Sequence, residues 1–425
     1  MTSGLAERVG LAQAMRPAEP GAASRPAEVR SHRSEHSSLR VLLVDPSLFS
    51  GPYDAALNEG LLAAGINPRW AVRPSRPGDR ADLSAEHAEP LFYRHVDGLS
   101  GLPGWLRKAA KGVAHVVGLT RLLRAIGETE PDVVHFQWTV FPALDAVALL
   151  AIRRFCAVVV TVHDSTPGNG DGPLLFRLGQ RLPMRLAHRV IVHTETARAE
   201  LVRHGIAPAT IDVVRHGPLR LRVPPPDPTH ARQDERYTVV LFGELKTYKG
   251  IDILIDAVGL LPLHVRRDVR VLVTGRAQMD VAPLIARIHE LGLEDVIQVA
   301  QRRLTEEQMS ELFAGADCFV FPYRVVDASG VYFLVRSLSR WIIASRVGVF
   351  AEQLADGIDG ELVPVANPPA LAAALERAVT TRPRPRSSSS PESDWNAIGH
   401  ATRGVYGAAL ESRVCCGGRP WTPLG

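Results

Sequence analysis

The stretch LFGELKTYKGID, Leu241–Asp252, lies just past the middle of the chain and indicates how the protein folds. It begins with apolar residues, turns at Gly243 and continues into the amphipathic run IDILIDAVGLL, so it predicts a strand, a short polar turn and a helix. A helix N-terminus offers unpaired N–H groups and a partial positive charge. Lys246 and Lys249 beside it therefore predict an anion site, most often for phosphate. Glu244 carries the opposite charge and needs an explanation.

The same order of strand and helix recurs on both sides of this stretch. Continuous apolar strands that alternate with helices are typical of a parallel sheet covered on both faces. The sequence therefore predicts an α/β protein with two Rossmann-like, doubly wound parallel-sheet domains in series. The clearest strands before the stretch are Leu39–Ser47, Asp132–Trp138, Ala157–Asp164 and His188–Thr194.

A chain of 425 residues is too long for one ordinary core and fits two domains. A Pro-rich and charged run separates the two halves and predicts a linker. The predicted order is a disordered leader (1–38), an N-terminal domain (39–218), the linker (219–236), a C-terminal domain (237–380), a flexible segment (381–393), a last helix opened by Asp394 (394–412) and a tail (413–425).

The composition limits the classes of function. Hydrophobic residues make up 46% of the chain and charged residues 22%, which is ordinary for a globular protein in water. The formal net charge of +4 is a weak argument for nucleic acid, and no nucleic-acid partner is expected. Four cysteines are too few for a disulfide framework, which favours a reducing, cytoplasmic location. No apolar run approaches the roughly 20 residues that span a bilayer.

Several common site motifs are missing from the sequence. No Gly-rich dinucleotide fingerprint follows Val44, and no GxxxxGK[ST] motif follows any predicted strand, so nicotinamide-dependent and ATP-hydrolysing functions lose support. No Cys/His spacing suits zinc, and no Asp cluster suggests a calcium loop. We therefore expect no metal and no cofactor.

Four segments together resemble a known family. They are RVIVHTETARAELVRHGI, LFGELKTYKGIDILIDAV, FAGADCFVFPYRVVDASGVYFLVRSL and RVGVFAEQLADGIDGELVPV. The chain resembles the retaining, nucleotide-sugar-dependent glycosyltransferases of family four, which have the two-domain GT-B fold, over roughly Leu39 to Leu410. The resemblance implies that the C-terminal domain binds a nucleotide diphosphate sugar as donor and that the N-terminal domain, across a cleft, binds the acceptor.

The resemblance also implies a donor site. Lys249 matches the lysine that contacts the donor diphosphate, Asp327 matches an acid that hydrogen-bonds the donor sugar, and His163 matches a histidine near the reacting carbon. These three are the expected catalytic residues. The expected donor-binding set is Gly243, Lys246, Lys249, Ser329, Gly330, Val331 and Glu352.

On the acceptor side, the resemblance implies Gly51 and Tyr53. Simpler readings of the donor residues stay open: Lys249 as a solvated surface lysine, Ser329 as a plain helix cap and His163 as a structural histidine. The identity of the acceptor, the nucleotide base and the sugar cannot be read from the sequence.

Three positions depart from the family pattern. Glu244 stands where an arginine usually helps to clamp the diphosphate, and we expect it to repel phosphate unless Lys246 neutralises it. Val335 stands where a second acid is usual. Trp341 is large for a turn that is expected to pack near the nucleotide. Two alternatives therefore stay open, a catalytically weakened nucleotide-sugar-binding protein and a nucleotide-sugar epimerase with the same fold.

The segment Gly104–Gly127 is basic and amphipathic, and Trp105 stands near its start. Helices of this kind can rest on an anionic membrane and reach lipid-linked acceptors. The alternative, which the pattern favours, is a surface helix packed on its own sheet.

Overall fold

The computed structural model describes residues 39–76, 79, 82–94, 103–165, 179–226, 235–386 and 394–415. The predicted leader lies outside the described residues. So do residues 227–234 of the predicted linker, 387–393 of the predicted flexible segment and 416–425 of the predicted tail.

The first half forms a seven-stranded sheet in which every paired strand is parallel to its neighbour, in the order β3-β2-β1-β4-β5-β6-β7. The sequence predicts no strand between the first strand and Asp132, but β2 and β3 lie there because the sheet extends on that edge. The strands are β1 (Val41–Asp45), β2 (Arg69–Val72), β3 (Ala88–Pro90), β4 (Val133–Phe136), β5 (Ala157–Thr161), β6 (Arg189–Val192) and β7 (Ile211–Val213).

Helices connect these strands and cover the sheet. In the described residues they are α1 (Gly51–Ala63), α2 (Gly104–Thr129), α3 (Pro142–Ile152), α4 (Leu182–Leu186) and α5 (Glu195–Arg203). Helix α2 buries one face, which includes Leu119, Leu122 and Ile126, in the core of the domain. This agrees with the favoured expectation for the basic segment.

The second half forms a six-stranded sheet, also parallel, in the order β10-β9-β8-β11-β12-β13. Its strands are β8 (Tyr237–Phe242), β9 (Val269–Thr274), β10 (Ile297–Ala300), β11 (Cys318–Phe321), β12 (Trp341–Ser345) and β13 (Gly360–Val363). Its described helices are α6 (Ile251–Gly259), α7 (Leu263–Asp268), α8 (Ala282–Glu290), α9 (Glu306–Gly315), α10 (Gly330–Arg336), α11 (Gly348–Gln353) and α12 (Pro368–Thr381). The predicted fold class, two doubly wound α/β units, is confirmed.

Each sheet is buried on both faces because its strands are apolar throughout. Along β8, Leu241 packs into one hydrophobic cluster and its neighbour Val240 packs into another on the opposite face. This alternation follows from the two-residue period of a strand. The first sheet has two such clusters as well, which explains the continuous apolar strands in the sequence.

Both sheets reverse their strand order at one place. In the first sheet the reversal lies between β1 and β4, and in the second it lies between β8 and β11. At such a point the loops that leave the two carboxyl ends diverge, so a crevice opens that commonly binds ligands. The loop that carries Lys249 leaves β8, so the fold places the predicted anion site at this crevice.

Trp341 lies away from that crevice. It is the first residue of β12 and pairs with Cys318, the first residue of β11, so it lies at the amino ends of the strands. It lines a small pocket there with Tyr237 and Arg382. The expectation that Trp341 packs near the nucleotide is wrong, because the bulky residue begins a strand and does not fill a turn near the site.

The last helix, α13 (Trp395–Cys415), follows the second domain in sequence but packs on the first domain. Its Tyr406 hydroxyl lies 2.8 Å from Nδ1 of His135 in β4. Trp395 donates a hydrogen bond of 2.8 Å to the carbonyl of Pro218, where the chain leaves the first domain. Among the described residues, none of the helices combines the length and apolar character needed to cross a bilayer.

We expect the contact between α1 and α13 to be sensitive to one methyl group. A Cβ added at Gly399 would lie 1.9 Å from the carbonyl oxygen of Gly60, so Gly399→Ala must push the helices apart. We predict a loss of about 1–3 kcal/mol in the free energy of unfolding, which is typical of overpacking. Chemical unfolding of both proteins gives the difference.

Gly407→Ala is the matched control in the same helix. Gly407 is exposed and a Cβ there meets nothing within 4 Å. Alanine should stabilise the helix by about 0.5–1 kcal/mol. Equal stability of the two variants would contradict the close approach of α1 and α13.

Candidate functional site

A cavity of about 470 Å³ lies between the carboxyl ends of the two sheets. It lies where both sheets reverse their strand order, as the fold predicts. The first domain contributes chiefly aromatic side chains, and the second contributes the segment after β11. The lining includes Phe49, Ser50, Tyr53, Trp138, His163, His216, Tyr248, Asp327, Gly330 and Val331.

Lys249 is buried, with 5% of its surface exposed, so it is not a solvated surface lysine. It ends a short turn, Thr247–Lys249, that precedes α6. Its ammonium lies 3.4 Å from the carbonyl oxygen of Phe242 and 5.5 Å from the centre of the Tyr323 ring. Burial lowers the pKa of Lys249 from 10.5 to about 8, since few groups replace the water that a cation loses. Among the described residues no carboxylate forms an ion pair with it.

Glycines allow this arrangement. A Cβ on Gly243 would lie 2.8 Å from the Lys249 ammonium and 3.2 Å from Val331, which lines the cavity. Gly250 has a φ of +67°, and a Cβ there would lie 2.0 Å from the carbonyl oxygen of Pro322 after β11. Gly250 requires glycine because a side chain would separate the start of α6 from the end of β11. Gly243 has a φ of +106°, and a side chain there would be strained and would displace the Lys249 ammonium.

Glu244 does not face the site as an unpaired anion. Its carboxylate accepts a hydrogen bond of 2.6 Å from Arg276, which follows β9, and lies 3.1 Å from the Lys246 ammonium. Burial opposes ionisation, but the bonds from Arg276 and Lys246 outweigh it and lower the pKa of Glu244. The expected repulsion is thus offset by two cations. Glu244 thus holds Arg276, from the loop after β9, and Lys246 at the turn that carries Lys249.

Ser329 caps α10, because its hydroxyl accepts a hydrogen bond of 3.4 Å from the backbone N–H of Tyr332. Gly330 follows it and lines the cavity; a Cβ there would meet only Leu219, at 3.9 Å. The backbone at this position is therefore open to a ligand. Val335, where the family pattern has an acid, is fully buried in the core and offers no polar contact to the cavity.

Asp327 reaches across the cleft. Its carboxylate accepts a hydrogen bond from the backbone N–H of Ser165, in the loop that follows β5 of the first domain. It also lines the cavity, as expected for a group that contacts a donor sugar. The same carboxylate is therefore available to both a bound hydroxyl and the opposite domain.

Glu352, which the resemblance assigns to the donor site, connects the two domains. Its carboxylate accepts hydrogen bonds of 2.9 Å and 2.8 Å from the backbone N–H groups of Glu195 and Thr196 and one of 2.6 Å from the Thr196 hydroxyl. These N–H groups open α5 of the first domain, where no intrahelical acceptor exists and negative charge is favourable. Glu352 thus binds the two domains together. Several predicted donor residues do not themselves line the cavity: Gly243, Lys246, Lys249, Ser329 and Glu352.

His163 follows β5 and forms part of a cluster of rings. Its Nδ1 lies 3.2 Å from Nε2 of His193, and the Trp138 ring stacks on it at 4.9 Å. Its Nε2 is buried and has no hydrogen-bond partner in the described residues. Burial, together with the neighbouring His193, His216 and His135, lowers the pKa of His163 well below 6.5. The imidazole is neutral at physiological pH.

On the predicted acceptor side, Tyr53 lines the cavity in edge contact with His163, with 4.9 Å between ring centres. Gly51 begins α1 but is not among the lining residues, whereas its neighbours Ser50 and Pro52 are. Ser50 accepts a hydrogen bond of 2.8 Å from Trp138 Nε1, which fixes that ring as a wall of the cavity.

Sequence reasoning missed three contributors: Trp138, His193 and Arg276. Each stands just after a strand, β4, β6 and β9 respectively. A systematic search of carboxyl-end positions, where ligands bind in parallel sheets, would have found them. In the described residues no group of three or more His, Cys, Asp or Glu side chains is arranged to hold a metal ion.

Comparison with known proteins places the chain in a family. A sequence family described as Glycosyltransferase Family 4 matches residues 55–217, and one described as Glycosyl transferases group 1 matches residues 227–390. The chain belongs to the family 4-like glycosyltransferases. The resemblance that the sequence motifs indicate is confirmed.

Curated relatives of this chain include D-inositol 3-phosphate glycosyltransferases. That of Mycolicibacterium smegmatis is 28% identical over 57% of this chain and 59% of its own length. That of Frankia alni is 24% identical over 76% of this chain and 84% of its own length. The match spans less than two thirds of the length of the Mycolicibacterium protein.

Solved structures show the same fold. Anabaena HepE in complex with UDP and glucose has a TM-score of 0.60 and 16% identity, over 89% of this chain and 98% of HepE. Sucrose-phosphate synthase from Thermosynechococcus elongatus has a TM-score of 0.60 and 17% identity, over 89% and 97% of the two chains. At these identities the likeness establishes the fold, which is GT-B.

The buried ammonium of Lys249 predicts a pH dependence of stability. Its pKa in the folded state, about 8, lies below the value of 10.5 for the exposed group, so the unfolded chain binds more protons between these values. The free energy of unfolding should therefore rise with pH from about 8 to 10.5. The rise should be on the order of 2–3 kcal/mol for a shift of this size.

The measurement is chemical unfolding across this pH range for the wild type and Lys249→Met. The difference in the free energy of unfolding between the two proteins isolates Lys249, because the tyrosines and cysteines that titrate in this range are present in both. Parallel pH profiles for the two would show that Lys249 is solvated.

Proposed function

We propose that this protein transfers a sugar from a nucleotide diphosphate sugar to an acceptor hydroxyl with retention of configuration at the anomeric carbon. The observation that carries the proposal is the buried Lys249 at the carboxyl end of β8, without a carboxylate partner in the described residues. A desolvated cation beside a cavity favours an anionic ligand, because the ligand replaces the charge stabilisation that burial removed. A diphosphate supplies this charge.

The turn after β8 provides further positive charge for the diphosphate. Arg276 and Lys246 share Glu244, so two cations with one anion between them leave a net positive charge beside Lys249. Arginine binds phosphate oxygens in a planar, two-point geometry. The family pattern has an arginine at the position of Glu244. We propose that Arg276 supplies the positive charge of that arginine.

The other side of the cavity suits the sugar and the acceptor. Asp327 accepts hydrogen bonds from hydroxyls, and the open backbone at Gly330 admits a phosphate or a sugar oxygen. Tyr53 and Trp138 offer flat apolar surfaces of the kind on which the C–H faces of sugar rings pack. The HepE structures contain UDP and UDP-glucose, which supports a nucleotide sugar as donor.

In the proposed reaction the acceptor oxygen bonds to the anomeric carbon as the bond from that carbon to the diphosphate breaks. The acceptor proton passes to a diphosphate oxygen on the same face, so configuration is retained. The protein orients the two substrates and stabilises the charge that develops on the leaving diphosphate. Lys249, Lys246 and Arg276 supply that charge, so we propose that turnover needs no metal and persists in EDTA.

We predict that donor affinity decreases as pH rises through about 8. Free Lys249 loses its proton near that pH, whereas a bound diphosphate holds the proton on, so binding above pH 8 must take up a proton. Affinity should fall by up to about tenfold per pH unit above 8. A thermal-shift screen first selects the nucleoside diphosphates and nucleotide sugars that bind. Calorimetric titration with these ligands at several pH values then measures the affinity.

Two variants sharpen this test. Lys249→Met should weaken binding at pH 7 by about 1.5–3 kcal/mol, the range for a charge-assisted contact, and should abolish the pH dependence. Lys246→Met removes an exposed, already paired lysine from the same turn and should keep the pH dependence. Equal affinity of wild type and Lys249→Met would exclude the diphosphate role.

The role of Arg276 has its own prediction. Arg276→Gln should weaken donor binding several-fold, because it removes a cation. Glu244→Gln should weaken binding by less, because it releases Arg276 and Lys246 from their partner but keeps both positive charges. If Glu244 acted only by repelling phosphate, Glu244→Gln would strengthen binding instead. Calorimetry on the two variants separates these outcomes.

The assay of transfer distinguishes the alternatives. A glycosyltransferase releases nucleoside diphosphate faster when acceptor is present, an epimerase changes the sugar without releasing the nucleotide, and a binding protein does neither. EDTA should leave the rate unchanged. Loss of turnover that only Mn²⁺ or Mg²⁺ restores would contradict the metal-independent reaction.

We also propose that the outer face of α2 can rest on an anionic membrane. This face exposes Val113, Val116 and Val117, and Arg107 and Lys108 are exposed earlier in the same helix. Such a surface suits the boundary between lipid headgroups and acyl chains. The test is sedimentation with anionic vesicles. The wild type should sediment with them and not with neutral vesicles, and Val113→Asp should reduce the sedimented fraction.

A further inference from the structure

Three hydrogen-bonding groups form a chain that ends at the cavity. The carbonyl oxygen of Val214 lies 2.9 Å from Nδ1 of His193, and Nε2 of His193 lies 3.2 Å from Nδ1 of His163. His163 lines the cavity, and its Nε2 has no partner in the described residues. His193 itself is 2% exposed and is not among the residues that line the cavity.

The chain allows one arrangement of protons when both histidines are neutral. A carbonyl oxygen only accepts, so His193 must carry its proton on Nδ1. Nε2 of His193 is then bare and accepts the proton of Nδ1 of His163. His163 therefore has a bare Nε2, and the cavity wall carries a hydrogen-bond acceptor there.

The surroundings keep the rings neutral. The titratable rings around His193 are Tyr53 from α1, His163 after β5 and His216 after β7. Burial lowers the pKa of His193 to about 4, and burial with the neighbouring histidines lowers the pKa of His163 well below 6.5. His135 in β4, which also affects His163, has its pKa lowered to about 3 by burial. Protonation would therefore place a cation among desolvated neutral rings.

We propose that His193 is a positioning residue, which holds His163 with a bare Nε2 so that the cavity accepts a hydrogen bond from a hydroxyl group of a bound substrate. A bare nitrogen attracts a hydroxyl and repels an oxyanion, so this position selects sugar hydroxyls and not phosphate oxygens. The proposal about the substrate rests on the proposed function, but the proton arrangement does not. The hydroxyl belongs either to the donor sugar or to the acceptor.

The first test reads the tautomer directly in the wild-type protein without substrate. Nitrogen-15 NMR of labelled histidines should show His163 protonated at Nδ1 and bare at Nε2 at pH 7. In His193→Phe, which removes both nitrogens but keeps a ring, His163 should move toward the Nε2-protonated form. A wild-type His163 that is protonated at Nε2 would overturn the proposal, whatever the protein catalyses.

The second test uses kinetics with matched variants. His193→Phe should lower kcat/KM by about tenfold, the effect of one misplaced hydrogen bond. His193→Gln, which can place a carbonyl oxygen near the position of Nε2, should recover to within about threefold of wild type. The control is His188→Phe: His188 is also buried and flanks the same strand, but at its amino end, where it accepts from the Val158 N–H. It should leave kcat/KM unchanged.

The binding data identify the hydroxyl. If it belongs to the donor sugar, His193→Phe weakens binding of the nucleotide sugar and not of the nucleoside diphosphate. If it belongs to the acceptor, donor affinity is unchanged and KM for the acceptor rises. Unchanged kcat/KM and an unchanged tautomer in His193→Phe overturn the proposal. If His193→Phe does not fold, the wild-type tautomer and His193→Gln decide. If the wild type transfers no sugar from any donor, the proposed function is wrong. The NMR measurement of the His163 tautomer still tests the proposed proton arrangement in that case.

Discussion

The site depends on one buried charge. The ammonium of Lys249 sits against the carbonyl of Phe242 and the face of Tyr323, and these two contacts replace only part of the water that it lost. The surroundings are arranged to bring backbone close to this group. Gly250 has no Cβ to keep the turn away from Pro322 after β11, Gly243 has none to displace the ammonium, and Gly275 lets the end of β9 approach Gly243. The cost of burying the cation is a reason to expect an anionic ligand.

The opposite wall follows a different physical rule. Apart from Asp164, the first domain surrounds its part of the cavity chiefly with aromatic and imidazole rings, and desolvation keeps His163 and His193 uncharged. The cations near the ends of β8 and β9 and the rings of the first domain thus give the two sides of the cavity different character. The two carboxylates that cross the cleft, Asp327 and Glu352, both bind backbone N–H groups of the first domain, so the domains meet through polar contacts.

The sequence predicts those features of the fold that depend on the pattern of neighbouring residues. The two parallel sheets follow from apolar strands buried on both faces, and the cap at Ser329 follows from residue type and its place before a helix. The turn at Lys249 was predictable for the same reason. Contacts between distant segments were not. Arg276 lies 32 positions from Glu244, and Glu352 lies 157 positions from Glu195, so no local signal pairs them. Trp341 was misplaced because a strand begins where a turn was expected.

The return of α13 to the first domain changes how the two domains are connected. The polypeptide enters the second domain after Pro218 and leaves it before Trp395, and these two residues are hydrogen-bonded to each other. The second domain is thus an insertion within the first, attached by a paired stem and not by a single tether. Rotation of one domain against the other must pass through this double crossing, where Gly217 has room for no side chain because a Cβ would lie 2.7 Å from the Trp395 ring. The two crossings are therefore fixed to each other where Trp395 packs against Gly217 and bonds to Pro218.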